Sequence, residues 1–283
     1  MSLFTQESST KNRMKINNSL FNIPIVNNII QYDSTDSTNT KAKEFALRGS
    51  VDGTLIIAHH QTKGRGRLGR SFESPKNEGI YMSLLLRPTL PLVRYANITL
   101  ITAVAVARAI EKVCHIKPSI KWPNDILVNG KKLVGILTES GSDYVIIGIG
   151  INLFNQNFPE PIAQTATSIL MESQELPDEF SIIEAILMEF NELYDKFKVQ
   201  DDLSFILKEY NKLLAHFNKE VYLIPHHMSS TDSNPYTFDA SQLTPYVCLG
   251  INSKGELICK DDKNTLSAIN SGEISLRYTK DCL

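Results

Sequence analysis

Hydrophobic and polar positions divide the chain into three segments. Residues 1–26 are polar, rich in Ser and Asn, and show no hydrophobic period, which predicts a flexible N-terminal tail. Over residues 27–217, apolar runs of strand length alternate with helical patterns, whereas residues 218–283 contain short apolar runs separated by turns. The chain is therefore predicted to be α+β, with a mixed-sheet domain over 27–217 and a small β domain over 218–283.

Local periodicity predicts the individual elements. A helix can be capped by Ser37 or Thr38, runs to Leu47 and ends at Gly49. Strands are predicted within 53–60 and at 80–86, 119–122, 126–128, 133–137 and 144–151, and further helices at 96–113, 180–197 and 202–216. The pair Asn129-Gly130 is typical of a type I′ hairpin. In the last segment, strands are predicted at 221–224, 246–251, 257–260, 265–269 and 274–277.

Composition excludes several classes of protein. The chain has 283 residues, of which 42% are hydrophobic and 21% charged, as in ordinary globular proteins. A formal charge of -2 argues against a general nucleic-acid binder. The apolar run 95–107 is shorter than the roughly 18 residues of a membrane helix, so no membrane association is expected. Four cysteines without a CxxC pair predict reduced thiols and a cytoplasmic location.

The segment 64–70, GRGRLGR, is the most unusual in the sequence. It contains GxGxxG, but the serines and proline that follow it argue against the helix of a dinucleotide-binding fold. Glycines allow backbone N–H groups to approach an anion, and arginines suit phosphate or carboxylate. A solvated basic turn and an RNA-contacting loop remain alternatives. Mutual repulsion of the arginines predicts a loop that packs on little until a ligand binds.

Three other segments carry candidate chemistry. In 121–125, KWPND, Lys121 could contact phosphate and Asp125 could hold Mg²⁺, although Asn-Asp after proline is also typical of a plain turn. Lys132 enters an apolar strand and could point into a cavity, whereas lysine pairs at turns are usually surface residues. Gly148 and Gly150 lie on one face of a strand, where they predict either a flat ligand floor or close packing.

These motifs, read in order, resemble the biotin protein ligase family. The resemblance rests on 36–39 (DSTN), Gln61 with 64–70, 121–125, 132–137 (KLVGIL) and 148–152 (GIGIN), and more loosely on 272–277 (GEISLR). It covers residues 33–155 densely and 218–278 loosely. The resemblance implies a catalytic domain similar to class II aminoacyl-tRNA synthetases, followed by an SH3-like β-barrel.

The resemblance also implies a reaction and its participants. Biotin would be activated by ATP, with Mg²⁺, to biotinyl-AMP and pyrophosphate, and then transferred to a lysine of a biotin carboxyl carrier domain. Biotin would be bound by Ser37, Thr38, Asn39, Gln61, Gly64, Arg65, Gly66, Arg67, Lys132, Gly135, Ile136, Gly148 and Gly150. ATP would be bound by Arg67, Arg70, Phe72, Lys121, Asn124, Asp125, Asn152 and Arg277, with Asp125 as the metal ligand. Lys132, Arg65 and Arg67 would be the catalytic residues.

Two departures from the family pattern are visible. Phe72 stands where the family typically has tryptophan, which keeps an aromatic cover and loses an indole N–H. No winged helix-turn-helix pattern precedes Tyr32, so no sequence-specific DNA binding is expected; a homodimer is compatible with the pattern. Residues 226–236 are predicted to form an enlarged polar loop in the small domain. The alternatives are a lipoate or octanoate ligase of related fold and a non-catalytic Arg/Gly-loop RNA-binding protein.

Overall fold

Two β-sheets organise the protein. The computed structural model describes residues 18–173, 175, 177–225, 244–270 and 274–277. The larger sheet contains β1 (Asn28–Tyr32), β2 (Thr54–Ala58), β3 (Gly79–Leu86), β4 (Ser119–Lys121), β5 (Asp125–Val128), β6 (Lys131–Ser140) and β7 (Val145–Asn152). Its order is β1-β2-β3-β7-β6-β5-β4. The pair β1–β2 is parallel and the other pairs are antiparallel, so the sheet is mixed, as predicted.

Helices cover both faces of this sheet. They are α1 (Thr38–Leu47), α2 (Tyr95–Cys114), α3 (Ile169–Glu172), α4 (Glu179–Val199) and α5 (Ser204–Leu213). The face that α2 and α4 cover carries the main apolar core, and α1 packs on the opposite face. By length and composition the segment Leu92–Cys114 could cross a membrane, but 67% of its most apolar window is buried inside the protein. It is the central core helix.

The predicted tail is wrong for residues 18–26. Asn18–Asn22 form a 3₁₀ helix, and the side chains of Leu20, Ile23 and Val26 are buried in the main core. Burial of these apolar side chains offsets the cost of ordering the backbone. Residues 1–17 lie outside the described residues.

A second sheet follows α5. It contains β8 (Glu220–Pro225), β9 (Pro245–Ile251), β10 (Leu257–Lys260), β11 (Leu266–Ile269) and β12 (Ile274–Arg277), in the antiparallel order β11-β10-β9-β8-β12. Val221 and Leu257 of this sheet belong to the same buried cluster as α2. The indole Nε1 of Trp122 donates to the carbonyl of Gly255 at 3.3 Å. The small sheet is thus packed against the larger domain, while closure into an SH3-like barrel and a boundary at residue 218 stay predictions. The predicted loop 226–236 lies outside the described residues.

Two local predictions are confirmed by backbone geometry. Asn129 and Gly130 have φ of 49° and 80°, as a type I′ hairpin requires. No helix opens after GRGRLGR: Arg67–Gly69 form a single 3₁₀ turn and Arg70 is extended. Because β2 and β3 on either side are antiparallel, the dinucleotide-binding fold is excluded. Ser37 does occupy the N-cap of α1, but its side chain makes no capping hydrogen bond.

Candidate active site

A cavity of about 160 Å³ lies on the α1 face of the large sheet. It lies between the start of α1, the strands β6 and β7, and the loop after β2. It is lined by Ser37, Thr38, Asn39, Gln61, Arg65, Gly66, Arg67, Leu68, Arg70, Ser71, Phe72, Lys121, Trp122, Pro123, Asn124, Asp125, Lys132, Gly135, Ile136, Leu137, Gly148, Ile149 and Gly150. The fold therefore brings motifs more than 100 residues apart in sequence to one site.

The charge of the cavity is strongly positive. Its lining contains Arg65, Arg67, Arg70, Lys121 and Lys132. Asp125 is the single carboxylate among the described lining residues. Side chains of one sign in a concave site concentrate the opposite charge. This cavity is suited to an anionic ligand.

Lys132 points into the cavity and is not a surface lysine of the hairpin turn. Its Nζ lies 2.7 Å from Asp125 Oδ1 and 5.9 Å from the centroid of the Phe72 ring. Its backbone N–H donates to the carbonyl of Thr165 at 2.7 Å, and its own carbonyl accepts from Thr167 N–H at 2.9 Å. The strand anchors the backbone, and Asp125 holds the amine where an anion would lie.

The glycines are sites of close packing, because Phe72 or Asn39 lies against each of them; a glycine floor that holds ligand stays a prediction. An added Cβ would lie 2.6 Å from Phe72 Cε1 at Gly150 and 3.1 Å from Phe72 Cε2 at Gly135. These two glycines are cross-strand partners, and the lack of a side chain at both leaves room for the Phe72 ring. At Gly148 a Cβ would lie 2.1 Å from Asn39 Oδ1. Gly148 therefore makes room for close packing of Asn39.

Polar groups with fixed hydrogen-bond partners line one end of the cavity. Thr38 N–H donates to Gln61 Oε1 at 2.8 Å, and Asn39 Nδ2 donates to the carbonyl of Leu137 at 3.2 Å. Ser37, Thr38 and Asn39 are each buried. Held in this way, their amides and hydroxyls can bind the polar head group of a ligand with little loss of side-chain entropy.

The Arg/Gly loop packs on more than its charges predict. Gly66 N–H donates to the carbonyl of Arg70 at 2.7 Å, so the loop folds into a small hairpin. Arg65 forms a bidentate ion pair with Glu139. Arg67 Nη1 donates to Asn124 Oδ1 at 3.1 Å, and burial lowers the pKa of Arg67 although Asp125 opposes this shift. The expectation that the arginines have little to pack on is wrong for Arg65 and Arg67, because both find acceptors across the cavity.

Two predicted site residues whose side chains are described, Gly64 and Asn152, do not line the cavity. Gly64 lies under the loop, where a Cβ would come within 2.2 Å of the Phe72 carbonyl oxygen. Asn152 is buried, and its Nδ2 donates to the carbonyl of Thr167 at 2.9 Å. Arg277 is the last residue of β12, opposite Tyr222 in the small sheet. Gly64 and Asn152 shape the loop and the backbone beside Lys132, and a nucleotide contact by Arg277 stays a prediction.

Sequence reasoning missed two residues that hold the site together. Ser83 Oγ lies 2.7 Å from Asn39 Oδ1, and Glu139 accepts from both Asn39 and Arg65. A signal exists for each: Ser83 is the single small hydroxyl in the apolar run 80–86, and Glu139 follows Gly135 and Leu137 at period two.

Comparison with known proteins places this chain among relatives of known activity. Residues 32–152 match the model of the biotin/lipoate A/B protein ligase family. The bifunctional ligase/repressor BirA of Bacillus subtilis is 44% identical over 165 residues, which cover 56% of this chain and 51% of that protein. The biotin–[acetyl-CoA-carboxylase] ligase of Mycobacterium tuberculosis is 35% identical over 149 residues, 51% of this chain and 55% of that protein. The chain spans about half the length of these relatives.

A solved structure extends the likeness to both sheets. The biotin protein ligase of Aquifex aeolicus in complex with biotin and ATP superimposes with a TM-score of 0.76 at 29% identity. The match covers 89% of this chain and 100% of that chain. The α+β fold is therefore the fold of that enzyme.

Proposed function

Since residues 32–152 belong to the biotin/lipoate A/B protein ligase family, we propose that this chain is an ATP-dependent biotin protein ligase. It condenses biotin with ATP to biotinyl-5′-AMP and pyrophosphate, and then transfers biotin to a lysine of a biotin carboxyl carrier domain. The curated relatives and the Aquifex aeolicus complex support this choice.

The observation that carries the proposal is the polarity of the cavity. Buried amides and hydroxyls of residues 37–39 line the same cavity as the arginines and lysines. Biotin has a ureido ring that needs donors and acceptors, an apolar bicycle, and a carboxylate that must meet the α-phosphate of ATP. The buried amides and hydroxyls suit the ureido head, the Phe72 ring suits the apolar bicycle, and the cations suit the two anions.

Lys132 supplies the main electrostatic term in the first step. A biotin carboxylate oxygen attacks the α-phosphorus of ATP, and the bond to pyrophosphate breaks. The two reacting groups carry like charges, so a cation between them stabilises the transition state more than the separate reactants. Arg65 and Arg67 cover the mixed anhydride and exclude water. In the second step the lysine amine of the carrier attacks the acyl carbon, and AMP leaves.

Asp125 is the residue that would hold Mg²⁺ with the phosphates. No group of three His, Cys, Asp or Glu side chains among the described residues could bind a metal alone. A single carboxylate is sufficient, because Mg²⁺ in nucleotide sites takes most of its oxygen ligands from phosphate and water. The ion would offset phosphate charge, while Asp125 would exchange its contact with Lys132 for the metal.

Three further proposals concern the cellular location of the protein, its oligomeric state and its lack of sequence-specific DNA binding. The buried free thiols of Cys114, Cys248 and Cys259 suit a reducing cytoplasm. Formation of a homodimer and the absence of sequence-specific DNA binding stay predictions. Sedimentation of the protein with biotin and ATP tests whether it forms a homodimer. A mobility-shift assay at physiological salt tests whether it binds DNA.

Pyrophosphate exchange tests the proposed reaction and its substrate together. Labelled pyrophosphate should enter ATP when biotin is present, and only at background level with lipoate or octanoate. Exchange driven by lipoate or octanoate instead would reassign the chain within its family. No exchange with any of the three acids, in folded protein, would overturn the proposal.

A further inference from the structure

A chain of side-chain hydrogen bonds runs beneath the candidate active site and returns to the loop from which it starts. We call it the polar relay. Its members, in order, are Arg65, Glu139, Asn39, Ser83, Thr38, Gln61, Ser74 and the carbonyl oxygen of Phe72. Arg65 and Phe72 lie on opposite strands of the Arg/Gly hairpin. The relay therefore ties both sides of the loop to the predicted head-group residues.

Glu139 is the first link. Arg65 donates from Nη1 and Nη2 to its two oxygens at 3.1 and 2.9 Å. The Oε2 atom also accepts from Asn39 Nδ2 at 2.8 Å. The carboxylate thus joins the loop to α1 through charge-assisted bonds, which are stronger than neutral ones.

Ser83 is the middle link, and it is completely buried. Its Oγ lies 2.7 Å from Asn39 Oδ1 and 2.8 Å from Thr38 Oγ1. Ser83 is the cross-strand partner of Gly148, which in turn pairs with Leu137. The side chain of Asn39 lies over Gly148 and is hydrogen-bonded to Ser83 on one side and to the carbonyl of Leu137 on the other.

Gln61 closes the relay onto the loop. Its Oε1 accepts from Thr38 N–H at 2.8 Å, and its Nε2 donates to Ser74 Oγ at 2.9 Å. Ser74 Oγ donates to the carbonyl of Phe72 at 2.9 Å. The main chain beside the Phe72 ring is thereby held by the same network as Arg65.

The two ends fix which group donates at each link. Ser83 gives its one proton to Asn39 Oδ1 and accepts from Thr38 Oγ1, and Thr38 N–H donates to Gln61. A carboxylate only accepts hydrogen bonds, so Asn39 must turn its Nδ2 toward Glu139 and its Oδ1 toward Ser83. A backbone N–H only donates, so Gln61 must turn its Oε1 toward Thr38. The pattern of donors and acceptors at this end of the cavity is therefore fixed before a ligand enters.

We propose that Glu139 is a positioning residue that couples occupancy of the head-group site to the conformation of the Arg/Gly loop. This inference rests on the proposed function, because the head group is taken to be the ureido ring of biotin. A ligand that bonds to Asn39 or Thr38 alters the partners of Glu139 and Gln61, and hence the hold on Arg65 and Phe72. The conformation of the Arg/Gly loop therefore changes when a ligand fills the head-group site.

The variant Glu139→Gln removes the charge and the fixed polarity while keeping the side-chain shape. We expect the KM for biotin in pyrophosphate exchange to rise about tenfold or more, the loss typical of a charge-assisted bond, with kcat changed much less. Without ligand, trypsin should cut at the loop arginines faster than in the wild type, and biotin should protect them less. The thermal midpoint should stay close to that of the wild type.

The matched control is Asp33→Asn. It breaks the Asp33–Lys76 pair, which has the same 2.9 Å separation as the Arg65–Glu139 pair and lies outside the cavity. It should leave the KM for biotin and the loop cleavage unchanged. Ser83→Ala cuts the relay without touching Arg65, so it should raise the KM for biotin but leave ligand-free cleavage at the wild-type rate.

The outcomes separate the two proposals. Wild-type protein without biotin-dependent exchange would refute the proposed function, and faster ligand-free cleavage of Glu139→Gln would still support the hold on the loop. Wild-type KM and wild-type cleavage in Glu139→Gln would overturn the relay while leaving the proposed function intact. If Glu139→Gln does not fold, an unchanged KM for biotin in Ser83→Ala would equally contradict the coupling.

Discussion

The two faces of the large sheet use the same strands for different purposes. On β7, Ile147, Ile149 and Ile151 point to the face covered by α2 and α4, and all belong to the main core. Their neighbours Gly148 and Gly150 point to the α1 face, where Asn39 and Phe72 lie against the backbone. Because side chains alternate along a strand, the isoleucines of β7 mark the core face and its glycines mark the α1 face.

The contrast teaches that stability and chemistry can be altered separately here. Removing an apolar side chain from the core face costs both transfer free energy and a cavity term. On the α1 face the glycines contribute almost no side-chain burial, but their lack of a Cβ sets where the polar groups and the Phe72 ring lie. Substitutions on the first face should therefore change unfolding, and those on the second should change binding and catalysis.

The largest effect is expected on the core face. Ile151→Ala removes a fully buried side chain and should lower the free energy of unfolding by about 2–5 kcal/mol. The KM for biotin should be unchanged in the protein that remains folded. Urea denaturation and exchange kinetics measure the two quantities, and a stability near that of the wild type would contradict the assignment of this face.

Lys132→Ala should give the next largest effect. It should slow catalysis without lowering stability. Loss of the amine should slow formation of the adenylate by about 10²-fold or more, the size of an oxyanion-type contribution. The side chain is 37% exposed, so the thermal midpoint should move little. Lys131→Ala, which changes the adjacent lysine outside the cavity, is the control. Equal exchange rates in the two variants would return Lys132 to the role of a surface lysine.

Gly148→Ala should produce a smaller loss, in binding. The added Cβ would lie 2.1 Å from Asn39 Oδ1, and Asn39 is held by partners on both sides. Displacing it breaks about one net hydrogen bond, which corresponds to roughly tenfold weaker biotin binding. Calorimetric titration with biotin checks this, and wild-type affinity would show that Asn39 is not part of the head-group site.

Trp122→Phe should have the smallest effect. It removes the indole N–H that bonds to Gly255 of the small sheet but keeps an aromatic ring in the cavity wall. The expected cost is about 0.5–1.5 kcal/mol of unfolding free energy. A much larger loss of activity than of stability would assign the indole a direct contact with ligand.

Local sequence patterns predict most strands and helices closely, because each depends on a period or a turn signal within a few residues; β1 and α3 are not predicted. Asn129-Gly130 and the apolar run of α2 are of this kind. The relay through Glu139 and Ser83 depends on contacts between residues far apart in sequence, such as the 100 residues that separate Asn39 from Glu139. Neither residue lay in a motif, so its role became apparent only when the strands were paired.

The role of Gly148 illustrates the same limit at a single position. Its spacing from Gly150 predicts either a ligand floor or close packing, and close packing is found at both positions. Which glycine would meet the Phe72 ring and which would meet Asn39 depends on the register between β7, β3 and β6. The sequence alone contains no signal for that register.

The central claim is that the α1 face joins biotin to ATP. Native mass spectrometry of the protein mixed with biotin, ATP and Mg²⁺ tests it most directly. We expect a retained ligand with the mass of biotinyl-5′-AMP in the wild type and in Lys131→Ala, and its loss or strong depletion in Lys132→Ala. Folded wild-type protein that carries only biotin, only ATP, or neither under these conditions would contradict the claim.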